Sequence, residues 1–596
     1  MVLRKTKIVC SIGPSSNNET TIRKLILAGM NVARFNFSHG TYCWHKSAMD
    51  KVKRISAELN IPVAILMDTK GPEIRTGNVE DNKIISITEG DLVEITVDGS
   101  ACYSPFNGKK GHLSLSWKDL PNRIKKGMRI LIADGLLELL VERIQDKTVL
   151  CTAQNTYSFG SKKNVNLIGI HAGLPILSEQ DKSDIAFCVE QNMDFIAASF
   201  VSFPEEITQI REYLEILGSK ARIIAKIENE EGVKNIDEII KIADGIMVAR
   251  GDLGVQIPPE NIPLVQKLII EKCRQEGKPV ITATQMLDSM ITNPRPTRAE
   301  LTDVANAVFD GTDAVMLSGE TASGKYPIES VKTMSKVLMT TESSDEYYKR
   351  IKLEENEINT PNISVNQKVA ACSFSLAQKV KATAIIVVSK SEQTALMINR
   401  FRPRQTIIAA TQSNRQKRRL MLSWGITPIT VKLQNNSEAT IQWAVKTALT
   451  SQFVSLSNHI LLVAGMPFGG TNILNSMRVS VVGNILGKGY CSASSLKSKN
   501  NIYGKIIRTM QSPNTPDTKY SHIFVCTRIT ESCIPILKKV TGIIAETGSD
   551  LTDQELHSIN KKLVWITNVP HAQQLFEEGQ FVTIDSTKGI IYEGFV

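Results

Sequence analysis

The chain has 596 residues, of which 42% are hydrophobic and 22% are charged. This length exceeds one compact core, so several domains are expected, and the composition excludes a disordered or fibrous protein. The net charge of +10 is the small difference between 70 Lys and Arg and 60 Asp and Glu, which fits small anionic substrates and does not indicate nucleic acid.

The cysteines and the first residues predict a cytoplasmic protein. None of the ten cysteines forms a Cys-x-x-Cys pair or a zinc-type spacing with His, so free thiols in a reducing compartment are the simpler interpretation. Only Ile8, Val9 and Cys10 follow the basic residues near the start before Gly13 and Pro14, so no signal peptide is expected. No segment approaches the roughly 20 apolar residues that cross a bilayer.

Eight short apolar runs lie between residues 1 and 320, each closed by polar residues or Gly and mostly followed by a segment of helical period. Runs of this kind are typical of buried parallel strands, and eight of them with helices between predict a closed (β/α)8 TIM barrel. The runs are Lys7 to Gly13, Asn31 to Phe37, Val63 to Thr69, Phe195 to Phe200, Ala221 to Glu228, Gly245 to Arg250, Pro279 to Gln285 and Asp313 to Ser318.

Three further regions complete the predicted domain organisation. Residues 73–166 alternate polar and apolar side chains between Gly and Asn-Gly turns, which predicts an inserted β domain that divides the barrel into 1–72 and 167–345. Strands and helices alternate again in 346–478, which predicts a separate α/β domain. A further α/β unit is expected in 479–596, with strands from His522, Gly542 and Leu563.

Polar residues close the barrel runs, and barrel enzymes place their active sites at the carboxyl ends of the strands. Glu228 and Asp252 end neighbouring runs, so together they are expected to bind one hard divalent cation, for which Mg²⁺ is suited. Lys226 lies two residues before Glu228, where it would stabilise charge on a phosphoryl group or an enolate or serve as a structural partner of Glu228. The other strand-end residues are Arg34, Asn36, Ser38, His39, Asp68, Thr69, Arg75, Gly251 and Thr284.

The segment from Gly319 to Lys325 nearly spells a phosphate-binding P-loop. Tyr326 stands where that motif requires Ser or Thr to bind Mg²⁺, so a loop at the start of a barrel helix is the better interpretation.

Four segments of the chain resemble the pyruvate kinase family. They are Gly29 to Gly40, Asp68 to Gly77, Gly245 to Asp252 and Asn293 to Glu300, and the resemblance extends from the start to about residue 478. It implies that the phosphoryl group of phosphoenolpyruvate is transferred to ADP, giving ATP and an enolate that is protonated to pyruvate. The alternative from the same fold is a Mg²⁺-dependent aldolase or lyase acting on pyruvate-like acids.

The resemblance assigns a role to each strand-end residue. Arg34, Lys226 and Thr284 would be catalytic, with Lys226 stabilising the transition state. The substrate-binding set is Arg34, Lys226, Gly251, Asp252 and Thr284, in which Gly251 and Thr284 bind the carboxylate end. The nucleotide-binding set is Asn36, His39, Arg75 and Lys163, with Lys163 in the insert, which is expected to be a β-barrel lid. The metal ligands are Glu228 and Asp252 for Mg²⁺ and Asn36, Ser38, Asp68 and Thr69 for K⁺.

The resemblance also implies K⁺ dependence, regulation and assembly. Glu73 stands where a Glu accompanies K⁺ dependence in the family, whereas a Lys there would supply the charge internally. The loop with Ser389, Lys390, Ser391 and Thr394 is expected to bind a phosphorylated allosteric effector on free backbone N–H groups. Glu392 stands where a Gly is common and would weaken or alter the activation by repelling the phosphate. A homotetramer is typical of the family.

The extension resembles the swivelling phosphohistidine domain of phosphoenolpyruvate-utilising enzymes, most clearly at Gly542 to Gly548 and at Glu578 to Gly594. Thr552, Asp553 and Gln554 replace the Thr-Ser-His segment whose His carries the phosphoryl group in the catalytic relatives. His557 lies about one helical turn beyond Gln554. Since the nucleophile is missing from its usual place, we expect a structural or assembly role for this domain rather than phosphoryl relay.

Overall fold

The first three apolar runs form neighbouring parallel strands. The computed structural model of the chain describes residues 4–105, 110–170, 172–350, 364–432, 437–465, 474–491, 501–508 and 521–595. The first strands are β1 (Lys7–Ser11), β2 (Val32–Asn36) and β3 (Ala64–Asp68), and the helices α1 (Glu19–Ala28) and α2 (Tyr42–Leu59) connect them. Each helix begins behind a polar cap, because the side chains of Asn18 and Thr41 accept a backbone N–H of the first turn.

An all-β insert follows β3. Its strands are β4 (Ile74–Arg75), β5 (Ile85–Ile87), β6 (Leu92–Thr96), β7 (Gly111–Ser114), β8 (Arg129–Ile132), β9 (Leu137–Gln145), β10 (Thr148–Ala153), β11 (Tyr157–Phe159) and β12 (Asn164–Leu167), with one short helix, α3 (Leu120–Arg123). Seven strands pair in the order β4-β12-β8-β9-β10-β6-β7, and β11 pairs with β5 separately. The insert therefore consists of two sheets around its own apolar core, which confirms the predicted β domain inserted into the barrel.

Five more parallel strands complete the barrel. They are β13 (Phe195–Ala198), β14 (Arg222–Ile227), β15 (Gly245–Ala249), β16 (Val280–Ala283) and β17 (Ala314–Leu317). The helices of this part are α4 (Glu179–Glu190), α5 (Pro204–Ile216), α6 (Glu230–Lys234), α7 (Ile236–Ile242), α8 (Arg250–Gln256), α9 (Ile262–Glu276), α10 (Arg298–Asp310), α11 (Gly319–Ala322), α12 (Pro327–Glu342) and α13 (Asp345–Arg350). Pairing of β17 with β1 closes the ring, which confirms the predicted eight-stranded barrel.

The barrel strands are buried on both faces. Val9 of β1 packs inside the ring with Ile224 and Met247, whereas its neighbours Ile8 and Cys10 pack in the layer between strands and helices. This alternation follows from the two-residue period of a strand. It explains why the barrel strands read as unbroken apolar runs, since both periodic faces need apolar side chains.

A segment from much later in the chain packs at the amino-terminal end of the barrel. Residues Arg418–Gly425 belong to the same compact unit as Met1–Lys352, and Met421 and Leu422 join the apolar core inside the ring. Arg418 Nε donates to both carboxylate oxygens of the buried Asp194, at 2.9 and 3.1 Å, and Asp194 directly precedes β13. This segment therefore covers the end of the barrel opposite to the strand ends that carry the predicted site.

The second compact unit comprises Leu353–Lys417 and Ile426–Val596. Its first part contains α14 (Val365–Lys379), β18 (Ala384–Val388), α15 (Gln393–Asn399), β19 (Thr406–Thr411), α16 (Asn414–Arg419, which continues into the first unit), β20 (Ile426–Thr430), α17 (Ser437–Thr450), β21 (His459–Ala464) and β22 (Ser476–Val481). The sheet order is β20-β19-β18-β21-β22, with only β22 antiparallel. Strand β22 spans position 478, the last residue of the predicted α/β domain.

The extension forms a seven-stranded sheet in the order β23-β29-β28-β24-β25-β26-β27. Its elements are β23 (Ile485–Lys488), β24 (Ile502–Ile507), β25 (His522–Cys526), α18 (Ile534–Leu537), β26 (Gly542–Ala545), α19 (Asp553–Ile559), β27 (Val564–Ile566), α20 (Ala572–Leu575), β28 (Phe581–Asp585) and β29 (Ile590–Glu593). The mixed α/β class that the sequence predicts for this region is confirmed. No helix in the described residues is long and apolar enough to span a membrane.

The end of the extension packs against α17 within the second unit. The buried Phe595 ring lies 5.6 Å from Trp443 of α17, 5.2 Å from Phe581 and 5.1 Å from Tyr503, measured between ring centroids. Lys446 of α17 places its Nζ 4.0 Å from the centre of the Tyr503 ring. Gly594 has φ +72°, and a Cβ there would overlap the Gln442 side chain. The extension is therefore held against α17 by an aromatic cluster and a cation–π contact.

We predict that Phe595→Ala lowers the free energy of unfolding of the second unit by about 3–5 kcal/mol, because the substitution leaves a cavity among three aromatic rings. Differential scanning calorimetry would detect a lower Tm for the transition of this unit. Tyr490→Ala is the matched control, since the Tyr490 side chain is 64% exposed and its loss should shift stability little. Equal behaviour of the two variants would contradict the prediction.

Candidate active site

A cavity of about 640 Å³ opens at the carboxyl ends of the barrel strands. Its volume suits a small ligand with several charged groups. The predicted site residues that line it are Arg34, Asn36, His39, Asp68, Lys226, Glu228, Asp252 and Thr284. The structure therefore brings together side chains from the ends of five different strands, as expected for a closed parallel barrel.

Asp68 is bonded to two cations at the base of this cavity. Arg34 Nε donates to Asp68 Oδ2 at 2.7 Å, and Lys226 Nζ donates to Asp68 Oδ1 at 3.0 Å. Although burial favours the protonated acid, the charges and hydrogen bonds of Arg34 and Lys226 outweigh it and lower the pKa of Asp68. Asp68 is thus an ionised carboxylate that holds two cationic side chains in place.

Lys226 is shared between two buried carboxylates. Its Nζ lies 2.9 Å from Glu228 Oε1 and also donates to Ser199 Oγ at 2.7 Å. Burial alone would lower the pKa of Lys226, but the charges of Asp68 and Glu228 raise it, so the ammonium stays charged. The spacing Lys226 and Glu228, i and i+2 on one strand, places both side chains on the same face, as the sequence predicted.

The surroundings of Glu228 disfavour its ionised form. Burial and, to a smaller extent, the nearby charge of Asp252 raise the pKa of Glu228 to about 7 against the lowering effect of Lys226. The backbone N–H of Phe200 donates to Glu228 Oε2 at 2.7 Å, and Phe200 has φ +60°, a left-handed conformation. The mutual repulsion of Glu228 and Asp252 is the property expected of two carboxylates that share a divalent cation.

Glu228 and Asp252 fit a cation that takes only part of its shell from the protein. No group of three or more His, Cys, Asp or Glu side chains is arranged to hold a metal within the described ranges. Mg²⁺ is commonly bound by one or two carboxylates together with substrate oxygens and water, so a two-carboxylate site agrees with its coordination habits.

Gly251 and Thr284 meet on the other side of the cavity. The backbone N–H of Gly251 donates to Thr284 Oγ1 at 2.7 Å, and Thr284 Oγ1 lies at the same distance from the carbonyl oxygen of Ala283. Thr284 has φ +65° and Gln285 has φ +52°. A β-branched residue in the left-handed region costs on the order of 1–3 kcal/mol and calls for a compensating interaction in the surrounding structure.

The residues predicted to bind a monovalent cation lie on neighbouring strands. Asn36 of β2 is in register with Asp68 of β3, and the Asn36 side chain accepts the backbone N–H of Ser38 at 3.0 Å. Thr69 follows Asp68, and its carbonyl oxygen accepts the Ser199 hydroxyl at 2.8 Å. The structure therefore places the four predicted ligands in one region of the barrel mouth.

Arg75 and Lys163 lie in the insert, outside the lining of the cavity. The two segments run side by side, because Arg75 pairs with Asn164 across β4 and β12. Arg75 Nη2 and Nε both bind Glu73 Oε2, at 2.6 and 2.8 Å, and Lys163 is exposed. The insert contacts the barrel where Gln256 Nε2 donates to Asn166 Oδ1 at 2.9 Å.

Two residues of the site escaped the sequence analysis. Ser199 follows β13 and connects Lys226 to the Thr69 carbonyl oxygen, and Ser11 at the end of β1 accepts Arg34 Nη1 at 2.8 Å. Both end predicted strands, so their position was available as a signal, but a lone Ser carries too little chemistry to stand out.

The near P-loop after β17 is built into the fold. Glu320 is buried and accepts the backbone N–H groups of Ser318 and Leu287 at 2.7 and 3.1 Å. Thr321 Oγ1 donates to the carbonyl oxygen of Ser11 at 2.9 Å. These contacts tie α11 to β1 and the loop after β16, which agrees with its interpretation as a barrel loop.

Comparison with known proteins assigns all three parts of the chain. The family model "Pyruvate kinase, barrel domain" matches residues 3–331, "Pyruvate kinase, alpha/beta domain" matches 367–480, and "PEP-utilising enzyme, mobile domain" matches 519–589. The chain is similar to the pyruvate kinases of Staphylococcus aureus strains USA300 and COL, with 40% identity over 600 residues that cover 100% of this chain and 99% of each relative. A pyruvate kinase crystal structure from Cryptosporidium parvum superposes with TM-score 0.75 and 40% identity, covering 80% of this chain and 96% of that chain.

We predict that Glu228→Gln changes how the stability of the first unit depends on pH. A carboxyl group with a raised folded pKa holds its proton between pH 4.5 and about 7, where the unfolded chain has lost it, so its contribution to stability falls as pH rises through that window. Gln does not ionise. The Tm of the variant minus the Tm of the parent should therefore be higher at pH 8 than at pH 5, by roughly 2 °C or more. The thermal scan is run without metal ions.

Glu230→Gln is the matched control for this scan, because Glu230 is exposed two residues further along. Its Tm difference from the parent should not vary with pH. If the Tm difference between Glu228→Gln and the parent were also independent of pH, Glu228 would not be a carboxylate that destabilises the first unit at high pH.

Proposed function

The chain belongs to the pyruvate kinase family and transfers the phosphoryl group of phosphoenolpyruvate to ADP, and we propose that the barrel cavity performs this reaction with the residues described above. The observation that carries the proposal is Lys226, a buried ammonium between Asp68 and Glu228 at the base of the cavity. The aldolase or lyase alternative is set aside, since the family models of the barrel and of the α/β domain and the full-length relatives are those of pyruvate kinase.

Arg34 and Lys226 bind the phosphoryl end of the substrate. Their side chains are 13% and 11% exposed, and both line the cavity, so their charge is directed into a space poor in water. Negative charge on the transferring group is stabilised more strongly there than in bulk solvent. Asp68 holds both cationic side chains in place before the substrate binds. Less conformational entropy is therefore lost when they bind the substrate.

The family uses divalent and monovalent cations, and we assign Mg²⁺ to Glu228 and Asp252. Mg²⁺ held by these two carboxylates would supply positive charge that stabilises the negative charge of the transferring phosphoryl group and of the enolate. Glu228 is now paired with Lys226 at 2.9 Å, so cation binding gives that carboxylate a second positive partner and favours its ionised form.

Gly251 and Thr284 bind the carboxylate end of phosphoenolpyruvate. The Gly251 N–H donates to the Thr284 hydroxyl oxygen at 2.7 Å, so the two groups are already close together, and Thr284 lines the cavity. A substrate carboxylate would accept from both in place of that internal bond. Binding at two ends fixes the P–O bond that breaks, and the enolate left behind takes a proton at carbon to give pyruvate.

The nucleotide binds between the barrel mouth and the insert. Asn36 and His39 line the cavity, whereas Arg75 and Lys163 are carried by the insert. Closure of the insert as a lid would bring Arg75 and Lys163 to the phosphates of ADP and exclude water from the transfer.

We assign K⁺ to Asn36, Ser38, Asp68 and Thr69. Asn36 and Asp68 are register partners on β2 and β3, and all four residues offer oxygen ligands. Glu73, the residue that accompanies K⁺ dependence in the family, is a carboxylate that accepts two hydrogen bonds from Arg75, so it supplies no positive charge that could replace K⁺.

The loop between β18 and α15 is proposed to bind a phosphorylated effector. Ser389 Oγ accepts the backbone N–H of Ser391 at 3.2 Å and the Thr394 hydroxyl at 3.0 Å, so the loop forms a compact polar turn with Lys390 exposed. Glu392 brings a carboxylate to this turn, and we therefore expect weaker or altered activation by a sugar phosphate. A homotetramer is the assembly that the family supports.

The extension is proposed to have a structural role. His557, the one candidate for a displaced nucleophile, lies on the exposed side of α19, beyond the turn after β26 where the phosphorylated His would stand. The Phe595 cluster holds the domain against α17, whereas phosphoryl relay by a swivelling domain needs it to leave. Both observations support a domain retained for packing.

We predict that Asp252→Ala keeps the fold but lowers Mg²⁺-dependent turnover on the order of 100-fold or more, because the charge of the transition state loses a metal ligand worth several kcal/mol. The measurement is pyruvate formation from phosphoenolpyruvate and ADP in a coupled assay. Asp237→Ala, at an exposed position on α7, is the matched control and should behave as the parent. Near-normal activity of Asp252→Ala at ordinary Mg²⁺ would remove Asp252 from the metal site.

We predict that the enzyme requires K⁺. The rate in KCl should exceed the rate in tetramethylammonium chloride at equal ionic strength, since the larger cation cannot enter a site of four oxygen ligands. Glu73→Lys should narrow this difference by placing a fixed positive charge nearby. Equal rates in the two salts for the parent would refute the assignment of a K⁺ site.

A further inference from the structure

Thr284 and Gln285 form a rare backbone feature at the wall of the cavity. Both have positive φ, +65° and +52°, and neither is Gly. A β-branched residue such as Thr avoids this region because its side chain crowds the backbone. The conformation therefore has to be imposed by contacts elsewhere, and it lies at the residue whose hydroxyl meets the Gly251 N–H.

Arg250 supplies those contacts. Its Nη2 donates to the carbonyl oxygen of Thr284 at 2.7 Å and its Nε to that of Ala283 at 3.1 Å. The guanidinium therefore binds the carbonyl oxygens of the two peptide groups that flank the Cα of Thr284, whose φ angle is strained. A planar fork with fixed donors is suited to this, whereas the single ammonium of a Lys would not span both oxygens.

Arg250 is itself fixed from the side remote from the cavity. Its Nη1 donates to Asp303 Oδ1 at 2.8 Å and to Gln266 Oε1 at 3.3 Å, and Gln266 Nε2 donates to Asp310 Oδ2 at 3.0 Å. The Arg250 side chain is only 12% exposed. The described lining of the cavity contains its neighbours Ala249 and Asp252 but not Arg250, so its guanidinium is a support behind the wall.

One side chain consequently positions both ends of the Gly251–Thr284 contact. Arg250 holds Thr284 through the carbonyl oxygens, and it directly precedes Gly251 in the chain, so the same anchor fixes the backbone that carries the Gly251 N–H. Loss of the fork would let the strained turn relax, and the hydroxyl and the N–H would separate.

We propose that Arg250 is a positioning residue for substrate binding, which sets the distance between the Thr284 hydroxyl and the Gly251 N–H by holding Thr284 in its left-handed conformation. The proposal rests on the assignment of these two groups to the carboxylate end of phosphoenolpyruvate. Arg250 acts through Thr284 and has no contact of its own with the substrate.

The test measures kcat and the KM for each substrate in the Arg250→Lys variant of the full chain. The KM for phosphoenolpyruvate should rise about 10-fold or more while the KM for ADP changes little, because the ADP groups lie elsewhere. Asp303→Asn, which loosens the anchor without touching the turn, should raise the same KM by a smaller factor. Similar increases in both KM values would indicate general disruption and overturn the proposal.

Two further variants separate this proposal from the assignment of the carboxylate site. Thr284→Val removes the hydroxyl, and the double variant with Arg250→Lys should show less than the product of the two separate effects, since both act through one group. Gln285→Gly permits positive φ without strain and should partly restore the KM of Arg250→Lys.

The outcomes are distinct. A raised KM for phosphoenolpyruvate in Thr284→Val with a normal value in Arg250→Lys would overturn the positioning role alone. Normal values in both would overturn the carboxylate site as well. Independent effects in the double variant, or failure of Gln285→Gly to restore any affinity, would show that Arg250 does not act by holding Thr284.

Discussion

The active site depends on one buried ammonium group. Lys226 lies between Asp68 and Glu228, two carboxylates whose side chains are each 1% exposed. Without Lys226, Glu228 would lose its cationic partner, and a buried carboxylate without one costs several kcal/mol, whereas Asp68 would keep only Arg34. Without the two carboxylates, burial would lower the pKa of the Lys226 ammonium. The three groups therefore stabilise one another. Their strands, β3 and β14, both pair with β13, and this strand order brings the charges into contact.

The barrel strands and many of the polar residues that end them could be predicted, because both follow from short patterns in the sequence. Each strand is a short apolar run, and the pair Lys226 and Glu228 shares a face by strand period alone. Ser199 and the role of Arg250 could not be predicted, since both depend on which distant residues become neighbours. The positive φ of Thr284 and Phe200 was equally hidden, because no Gly marks either position. The segment Arg418–Gly425 was missed for a related reason, as its partner Asp194 is more than 200 residues earlier in the chain.

The extension combines the match to a mobile domain with a turn that lacks His where the catalytic relatives carry it. Its sheet and its match to a mobile domain remain, while the turn after β26 carries Ser549 and Asp550 and no His. Phe595 and Tyr503 instead pack with Trp443 of the neighbouring domain. A surface that buries aromatic rings is costly to expose, so the contact that stabilises the second unit also opposes swivelling. The sequence showed that His is absent from this turn. It did not show that Gly594 and Phe595, near the end of the chain, pack against α17.

Backbone strain at this barrel mouth is concentrated at the groups that act on charge. Phe200 uses its left-handed conformation to direct an N–H at Glu228 Oε2, and Thr284 uses the same conformation to hold its hydroxyl beside the Gly251 N–H. Both donors follow barrel strands directly, so the rigid sheet resists relaxation of the turn. Each strained residue costs free energy in the empty enzyme. In exchange, the donors need no rearrangement when charge develops on the substrate. Such preorganisation is usually the largest single contribution to catalysis in sites of this type.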